Sequence, residues 1–436
     1  MFFDNILTTL EDIFLHHDEA LRLQSLRHLF FVNRDLRGRI ALVWDAASHK
    51  QMDDDQRKAL KELCGELADT LGKHALPAAR MPLVSEAPFT ADQQGAVVFT
   101  YGERLPFTVV DRMLTESSWS SRATEDSLSD RMTVFYSIKG GVGRSTALAV
   151  TAWHLAQQGK KVMVVDMDLE SPGLSSSLLP DDRRPDYGLL DWLVEDVVEN
   201  GDEVLERLFA TSPLADGSRG EIIVIPAHGR QYGDYIAKMG RAWMYRMDGE
   251  KRIPWPQRLR ILLRKLDEQH APDRILIDAR AGLDEIASAS VLDLAPRLVL
   301  LFALEGTQTW TGYSILFKHW NTIGQARNIR ESLQMVAAMI PPLEDKQSYM
   351  QRLREHAWDC FRERLYDALP VGEERDTFSY DCNDETAPHN PWIIHWHQGL
   401  SALKQLHTLE NTLDAAQIQG TFPFLRNLDD IFKEDV

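Results

Sequence analysis

Lys139-Gly140-Gly141-Val142-Gly143-Arg144-Ser145-Thr146 is the stretch on which the fold turns. Ahead of it, Val134-Phe135-Tyr136-Ser137 reads as a strand. Behind it, Ala147-Leu148-Ala149-Val150-Thr151-Ala152-Trp153-His154-Leu155-Ala156 reads as a helix that Gly159 ends. A glycine-rich turn between strand and helix has a bland reading as a tight connection. Three glycines whose N–H groups can face one anion, followed by the positive end of a helix, make a phosphate cradle instead. Ser145 would offer a hydroxyl to Mg²⁺, and Arg144 stands where such loops usually carry lysine.

Outward from the loop, Val162-Met163-Val164-Val165 ends in Asp166-Met167-Asp168, two carboxylates at a strand's C-terminal edge, where ligands of open α/β sheets bind. A third acidic strand end follows Arg274-Ile275-Leu276-Ile277 at Asp278, and Gly282 permits a loop there to approach a terminal phosphate. Each aspartate alone has a plain reading as a helix cap. Their joint placement after apolar strands points to magnesium and water beside phosphate.

Apolar runs at 133–138, 162–165, 222–225, 275–277, 298–302 and 336–340 alternate with helical patterns, which predicts an α/β core: a mostly parallel sheet flanked by helices. Residues 1–114 read as a smaller N-terminal α/β domain, with strands at 29–32, 40–44 and 96–100. Its helix at 53–71 carries Leu60, Leu63, Leu67 and Leu71 on one face and stops at Gly72. The serine- and charge-rich stretch 115–130 reads as a linker. Residues 131–436 then form the core with a C-terminal helical extension.

These motifs resemble those of the ParA/MinD-type, deviant Walker A branch of P-loop NTPases (the SIMIBI class), which has a lysine just ahead of two glycines. Lys139-Gly140-Gly141-Val142-Gly143 fits, as do Val164-Val165-Asp166-Met167-Asp168, Ile277-Asp278-Ala279-Arg280-Ala281-Gly282 and the strand ending Ile225-Pro226-Ala227, over roughly residues 131–345. The resemblance implies ATP with Mg²⁺ as ligands, bound by Gly140, Gly141, Val142, Gly143, Arg144, Ser145, Thr146, Asp166, Asp278 and Gly282. It implies a homodimer in the ATP state, with Lys139 reaching the partner subunit's nucleotide, Asp168 positioning the attacking water, and Ser145, Asp166 and Asp278 serving the metal. Arg144 departs from the family's Gly-Lys-Thr or Gly-Lys-Ser; it keeps the charge but is planar and bulkier, so binding is better supported than turnover. Lys-Gly-Gly-Val-Gly-Arg-Ser with Asp168-Leu169-Glu170-Ser171-Pro172-Gly173 is similar to a variant group of bacterial ATPases in multi-gene regulatory, conflict or defence systems. That similarity implies a partner effector protein, which we expect to engage the N-terminal domain.

With 436 residues, 44% of them hydrophobic, the chain can bury a sizeable core. A net charge of -18 opposes attraction to nucleic acid and anionic lipid. The widely spaced Cys64, Cys360 and Cys382 fit a reducing compartment, and no stretch approaches the ~20 apolar residues of a membrane span, so a cytoplasmic protein is expected. His389, His395 and His397 gather near Cys382 and two aspartates, but they match no zinc spacing, and Trp392 and Trp396 suggest packing. The stretch 378–391 reads as the last strand and a loop near the nucleotide base. Asp284 and Glu285 suit the start of a helix better than an acid/base pair. Arg280 is open between sensing a terminal phosphate and a salt bridge to a nearby carboxylate. No hydrolase nucleophile motif appears. Three functions remain: an ATPase switch, a nucleotide-bound scaffold without turnover, and, opposed by the acidic balance, a DNA-partitioning ATPase.

Overall fold

A computed structural model describes residues 1–23, 30–86, 96–112, 119, 123–342, 345–368, 377–401, 405–411 and 414–433. The chain divides into two compact units, Met1–Ser120 with Thr322–Gly324, and Ser121–Asn321 with Gln325–Val436.

In the first unit, β1 (Phe30–Arg34) and β2 (Ile40–Asp45) form an antiparallel hairpin in a five-stranded sheet. Its other strands are β3 (Leu83–Ser85), β4 (Ala96–Tyr101) and β5 (Phe107–Arg112), in the order β3-β2-β1-β5-β4. The helix Asp54–Leu71 starts where Asp53 accepts a bond from the Gln56 N–H and the Gln56 side chain accepts one from the Asp53 N–H, a reciprocal cap. Leu60, Leu63, Leu67 and Leu71 bury its inner face, as their spacing requires. With the helix Ile6–Leu21 it covers a core in which Phe14 meets Phe30 and Phe107 edge-on, at ring distances of 5.7 and 5.0 Å.

The second unit is built on an eight-stranded sheet. Its strands are β6 (Met132–Ser137), β7 (Lys161–Asp166), β8 (Ala210–Thr211), β9 (Glu221–Ile225), β12 (Arg274–Asp278), β13 (Leu298–Ala303), β14 (Leu333–Ile340) and β15 (Trp392–His395); β10 (Arg246–Asp248) and β11 (Lys251–Ile253) pair separately as a hairpin. The order is β15-β14-β13-β6-β12-β7-β9-β8, and every pair is parallel except β8 with β9. All of the expected apolar runs are strands here, buried on both faces because helices cover both sides. Alanines 147, 149, 152 and 156 let the helix Arg144–Gln157 lie close on the sheet, within a core cluster that also holds Phe135, Val164 and Leu276. The C-terminal helices Ala415–Thr421 and Phe424–Lys433 add Ile418, Phe424, Leu425 and Leu428 to that cluster.

Two expectations change. The last strand is β15, whereas residues 377–391 run through turns. There His389 is wholly buried and bonded to the Tyr366 hydroxyl and the Cys382 carbonyl, so side-chain packing rather than a ladder satisfies the segment. Of the stretch read as a linker, residues 115–118 and 120–122 lie outside the described residues. Residues 123–130 are tied down: Asp126 pairs with Arg260 at 3.0 Å and Arg264 at 2.7 Å, both on the helix Trp255–His270.

Candidate nucleotide-binding site

The central strand β6 lies between β12 and β13, so the chain leaving Ser137 emerges where the strand order reverses, at the carboxyl edge of the sheet. The loop turns through Gly141 and Gly143, whose φ values of 73° and 80° are left-handed and favour glycine. At Gly143 space is short as well as the backbone unusual. A Cβ there would lie 3.0 Å from the Met339 side chain. Val142 is buried and anchors the loop, while Gly140 and Gly141 are exposed.

Beneath the loop the three aspartates converge, because β7 and β12 are neighbours in register: Asp278 pairs with Asp166 across the ladder. Their environments differ. Asp166 is fully buried, and its oxygens accept the backbone N–H groups of Asp168 (3.1 Å) and Ser175 (3.0 Å) and the Ser175 hydroxyl. Burial, and then the neighbouring Asp278 carboxylate, raise its pKa from the ordinary carboxylate range to about 7 against the pull of those bonds. Asp168 keeps a side-chain exposure of 18% and accepts the Ser171 N–H at 3.2 Å. Its pKa is also raised by burial, with the Arg144 charge pulling the other way.

Arg144 occupies the middle of this cluster. Its Nε donates to Asp278 Oδ1 at 2.6 Å, one terminal nitrogen to Ser137 Oγ at 3.3 Å and the other to Asp168 Oδ2 at 3.4 Å. The guanidinium is buried, which disfavours its charge, yet the fields of Asp278, Asp168 and Asp166 prevail and raise its pKa. Ser145 Oγ donates to the second Asp278 oxygen at 2.6 Å.

Above these groups lies a pocket of 790 Å³. The loop from Gly140 to Thr146, Ser137, Asp168 and Arg280 form its polar side. Met339, Ile394, Trp396, Leu400 and Phe422 form an apolar wall, with His395 and His397 beside it. Of the residues expected at the site, Asp166, Asp278 and Gly282 lie just outside this lining, below or behind the loop. Gly282, at φ 100°, donates its N–H to the Ser137 carbonyl, and its own carbonyl accepts the Tyr136 hydroxyl. Lys139 also stands outside the pocket; it is exposed and has no ion pair among the described residues. Arg280 forms salt bridges to Glu170 (2.5 Å) and Asp284 (2.8 Å), and Asp284 caps the helix Glu285–Ser288 through the Ala287 N–H.

Sequence reasoning missed Met339, Ser175 and the C-terminal wall. Met339 has a left-handed φ of 45° at a register shift between β14 and β15, and that bulge aims it at the loop. No local signal in an apolar run announces a bulge. Ser175 had a weak one, a serine close behind the Asp-x-Asp pair.

Residues 129–190 match the model of the ParA family, described as NUBPL iron-transfer P-loop NTPase. No curated protein matches the chain. Among solved structures it is similar to MinD complexed with Mg-ADP from Pyrococcus horikoshii OT3, at 18% identity and a TM-score of 0.43, over 69% of this chain and 97% of that one. A ParA family ATPase from Chlorobium tepidum TLS is similar at 15% identity and a TM-score of 0.41, over 67% and 96%. A substituted McdA of Cyanothece, in complex with ATP, is similar at 15% identity and a TM-score of 0.41, over 69% and 96%. The family match falls on the stretch that holds the loop and the first acidic strand end, and in that stretch the chain is similar to the P-loop NTPases of the ParA family.

Proposed function

We propose that the core binds ATP with Mg²⁺ and hydrolyses it, and that the nucleotide state switches the chain between monomer and homodimer to regulate a partner protein engaged through the N-terminal unit. The observation that carries this reading is the Ser145 hydroxyl at 2.6 Å from Asp278, at the base of a glycine loop that opens a helix. A hydroxyl beside a carboxylate is a hard-oxygen donor set that suits magnesium. Ser145 and Asp278 would hold the ion, which when bound offsets phosphate charge. Asp166, with its oxygens already bonded, acts as a positioning residue that fixes Asp168 and Ser175.

The chain's own groups supply the rest. N–H groups of Gly140, Gly141 and Gly143 hold phosphate oxygens, and the apolar wall from Met339 to Phe422 takes the base. Asp168, with its raised pKa, is a stronger proton acceptor than an exposed aspartate and is held by Ser171 in position to orient a water. Lys139, exposed and unpaired among the described residues, is available to a second subunit's nucleotide. A partner effector from a multi-gene conflict or defence system is the regulated protein this reading expects.

A second reading, a nucleotide-bound scaffold without turnover, is favoured by one observation. Arg144 is committed to Asp278, Asp168 and Ser137, so the cation that would stabilise the transferring phosphoryl group is engaged elsewhere. Calorimetry with ATP and Mg²⁺ together with a phosphate-release assay tests both. Binding with release supports the switch, binding without release supports the scaffold, and no binding removes both.

A further inference from the structure

We propose that His16, His17 and Glu66, in the N-terminal unit, form a three-ligand surface site for a divalent transition-metal ion of the zinc class. His16 and His17 lie on the helix Ile6–Leu21, and Glu66 on the helix Asp54–Leu71. His16 Nδ1 is 3.3 Å and His17 Nε2 is 2.8 Å from the same carboxylate oxygen, Glu66 Oε2, and the three donor atoms lie within 4.8 Å of one another. Zinc held by imidazole nitrogen and carboxylate oxygen at about 2.0–2.2 Å sets neighbouring donors somewhat over 3 Å apart, so the cluster needs only a small side-chain adjustment to close around an ion.

The scaffold beneath is rigid. Ile13 and Phe14, three residues before His16 and His17, are buried, as are Leu63 and Leu67 beside Glu66. The donors therefore stand on two helices locked by one core, which limits the ordering an ion must impose. A plain hydrogen-bonded pairing accounts for His17, whose side chain is 11% exposed, but less well for His16. That ring is 74% exposed, yet it turns to the oxygen its neighbour already holds. No lysine or arginine pairs with Glu66 among the described residues, so the carboxylate charge is left for the histidines or for a cation. Two imidazoles and one carboxylate suit zinc, cobalt, nickel or copper, whereas magnesium prefers oxygen donors, and the site is thus chemically distinct from the nucleotide pocket. With three protein ligands, one coordination position is left to water or to a group from a partner.

The test uses the full chain with any affinity tag removed and no nucleotide present, titrated calorimetrically with ZnCl₂ and separately with MgCl₂. One zinc per chain is expected at this site, with no magnesium binding there. His16→Gln, a change at an exposed position that does not endanger folding, and Glu66→Gln should each weaken zinc binding by about tenfold or more, since losing a ligand costs no less than losing its outer-shell support. Zinc should also raise the unfolding temperature of the wild type and have less effect on either variant. The proposal is overturned if the wild type takes no zinc, if both variants bind it as the wild type does, or if the binding is abolished by His395→Gln but not by His16→Gln.

Discussion

Arg144 and Asp278 are joined beneath the phosphate loop by a 2.6 Å hydrogen bond from Nε to Oδ1, while Ser145 donates to the other oxygen of the same carboxylate at 2.6 Å. Asp278 is thus shared between a cation that neutralises it and a hydroxyl that would join it on magnesium. Lysine has no planar fork and cannot reach Asp278, Asp168 and Ser137 together. Arg144→Lys should therefore release Asp278, raise affinity for ATP with Mg²⁺ and raise phosphate release, at a cost of about 1–2 kcal/mol in stability without nucleotide. Arg144→Ala, which leaves the buried carboxylates without their cation, should cost about 3–5 kcal/mol. Calorimetry, phosphate release and denaturant unfolding read these effects; lower turnover in the lysine variant would show that Arg144 is the productive residue.

Ser145→Ala removes the hydroxyl while leaving the loop backbone in place. Magnesium-dependent ATP binding should weaken by about 1.5–3 kcal/mol, roughly 10- to 100-fold, and binding without magnesium should change little. Titrations with and without EDTA separate the two. An equal loss in both would mean that the hydroxyl contacts phosphate and not the ion.

Gly143→Val imposes a side chain on a left-handed backbone, worth about 1–2 kcal/mol of strain, and drives Cβ to 3.0 Å from Met339. ATP binding should be lost. Gly143→Val combined with Met339→Ala, which opens that space, should recover part of the stability but not the binding, because the φ requirement remains. Fluorescent-nucleotide titration and thermal unfolding would show this split.

Lys139→Ala should retain most ATP binding by the monomer and lose the ATP-induced dimer, since its exposed ammonium contributes to no contact within its own pocket. Asp168→Ala should slow turnover and prolong the dimer. Light scattering with and without ATP reads both. An oligomer that forms without ATP and persists in Lys139→Ala would exclude the dimer switch.

Asp166 links this site to pH. An unfolded aspartate titrates near 3.9, whereas the folded value is about 7, so between these values the native chain holds a proton that the unfolded chain releases. This group's contribution to stability accordingly falls as pH rises from about 4 to about 7. Asp166→Asn removes the titration. Its unfolding temperature, relative to the wild type, should be higher at pH 8 than at pH 5, whatever constant offset the lost Ser175 bond adds. Parallel thermal melts at the two pH values measure the difference, and an unchanged offset would show that Asp166 does not titrate there.

By itself the sequence determined what depends on neighbours along the chain. Gly140, Gly141 and Gly143 between an apolar strand and an alanine-rich helix prescribe a loop whose backbone faces an anion, because the required dihedrals and hydrogen bonds are local. The apolar runs ending in Asp166 and Asp278 likewise prescribe buried parallel strands with acidic tips. Tertiary structure decided where charges and side chains meet. Asp166 and Asp278 become neighbours only through the β7–β12 register, and burial together with that proximity raises the pKa of Asp166 out of the ordinary carboxylate range. Arg144 reads in sequence as a cation for phosphate, yet three aspartates from two strand ends offer it a field that no local pattern encodes. Met339, His395 and Phe422 reach the pocket from the far end of the chain, through a bulge and a terminal segment packed on the core. Such placements follow from the lowest free energy of the whole packed unit, in which contacts distant in sequence outweigh the preferences of any short stretch.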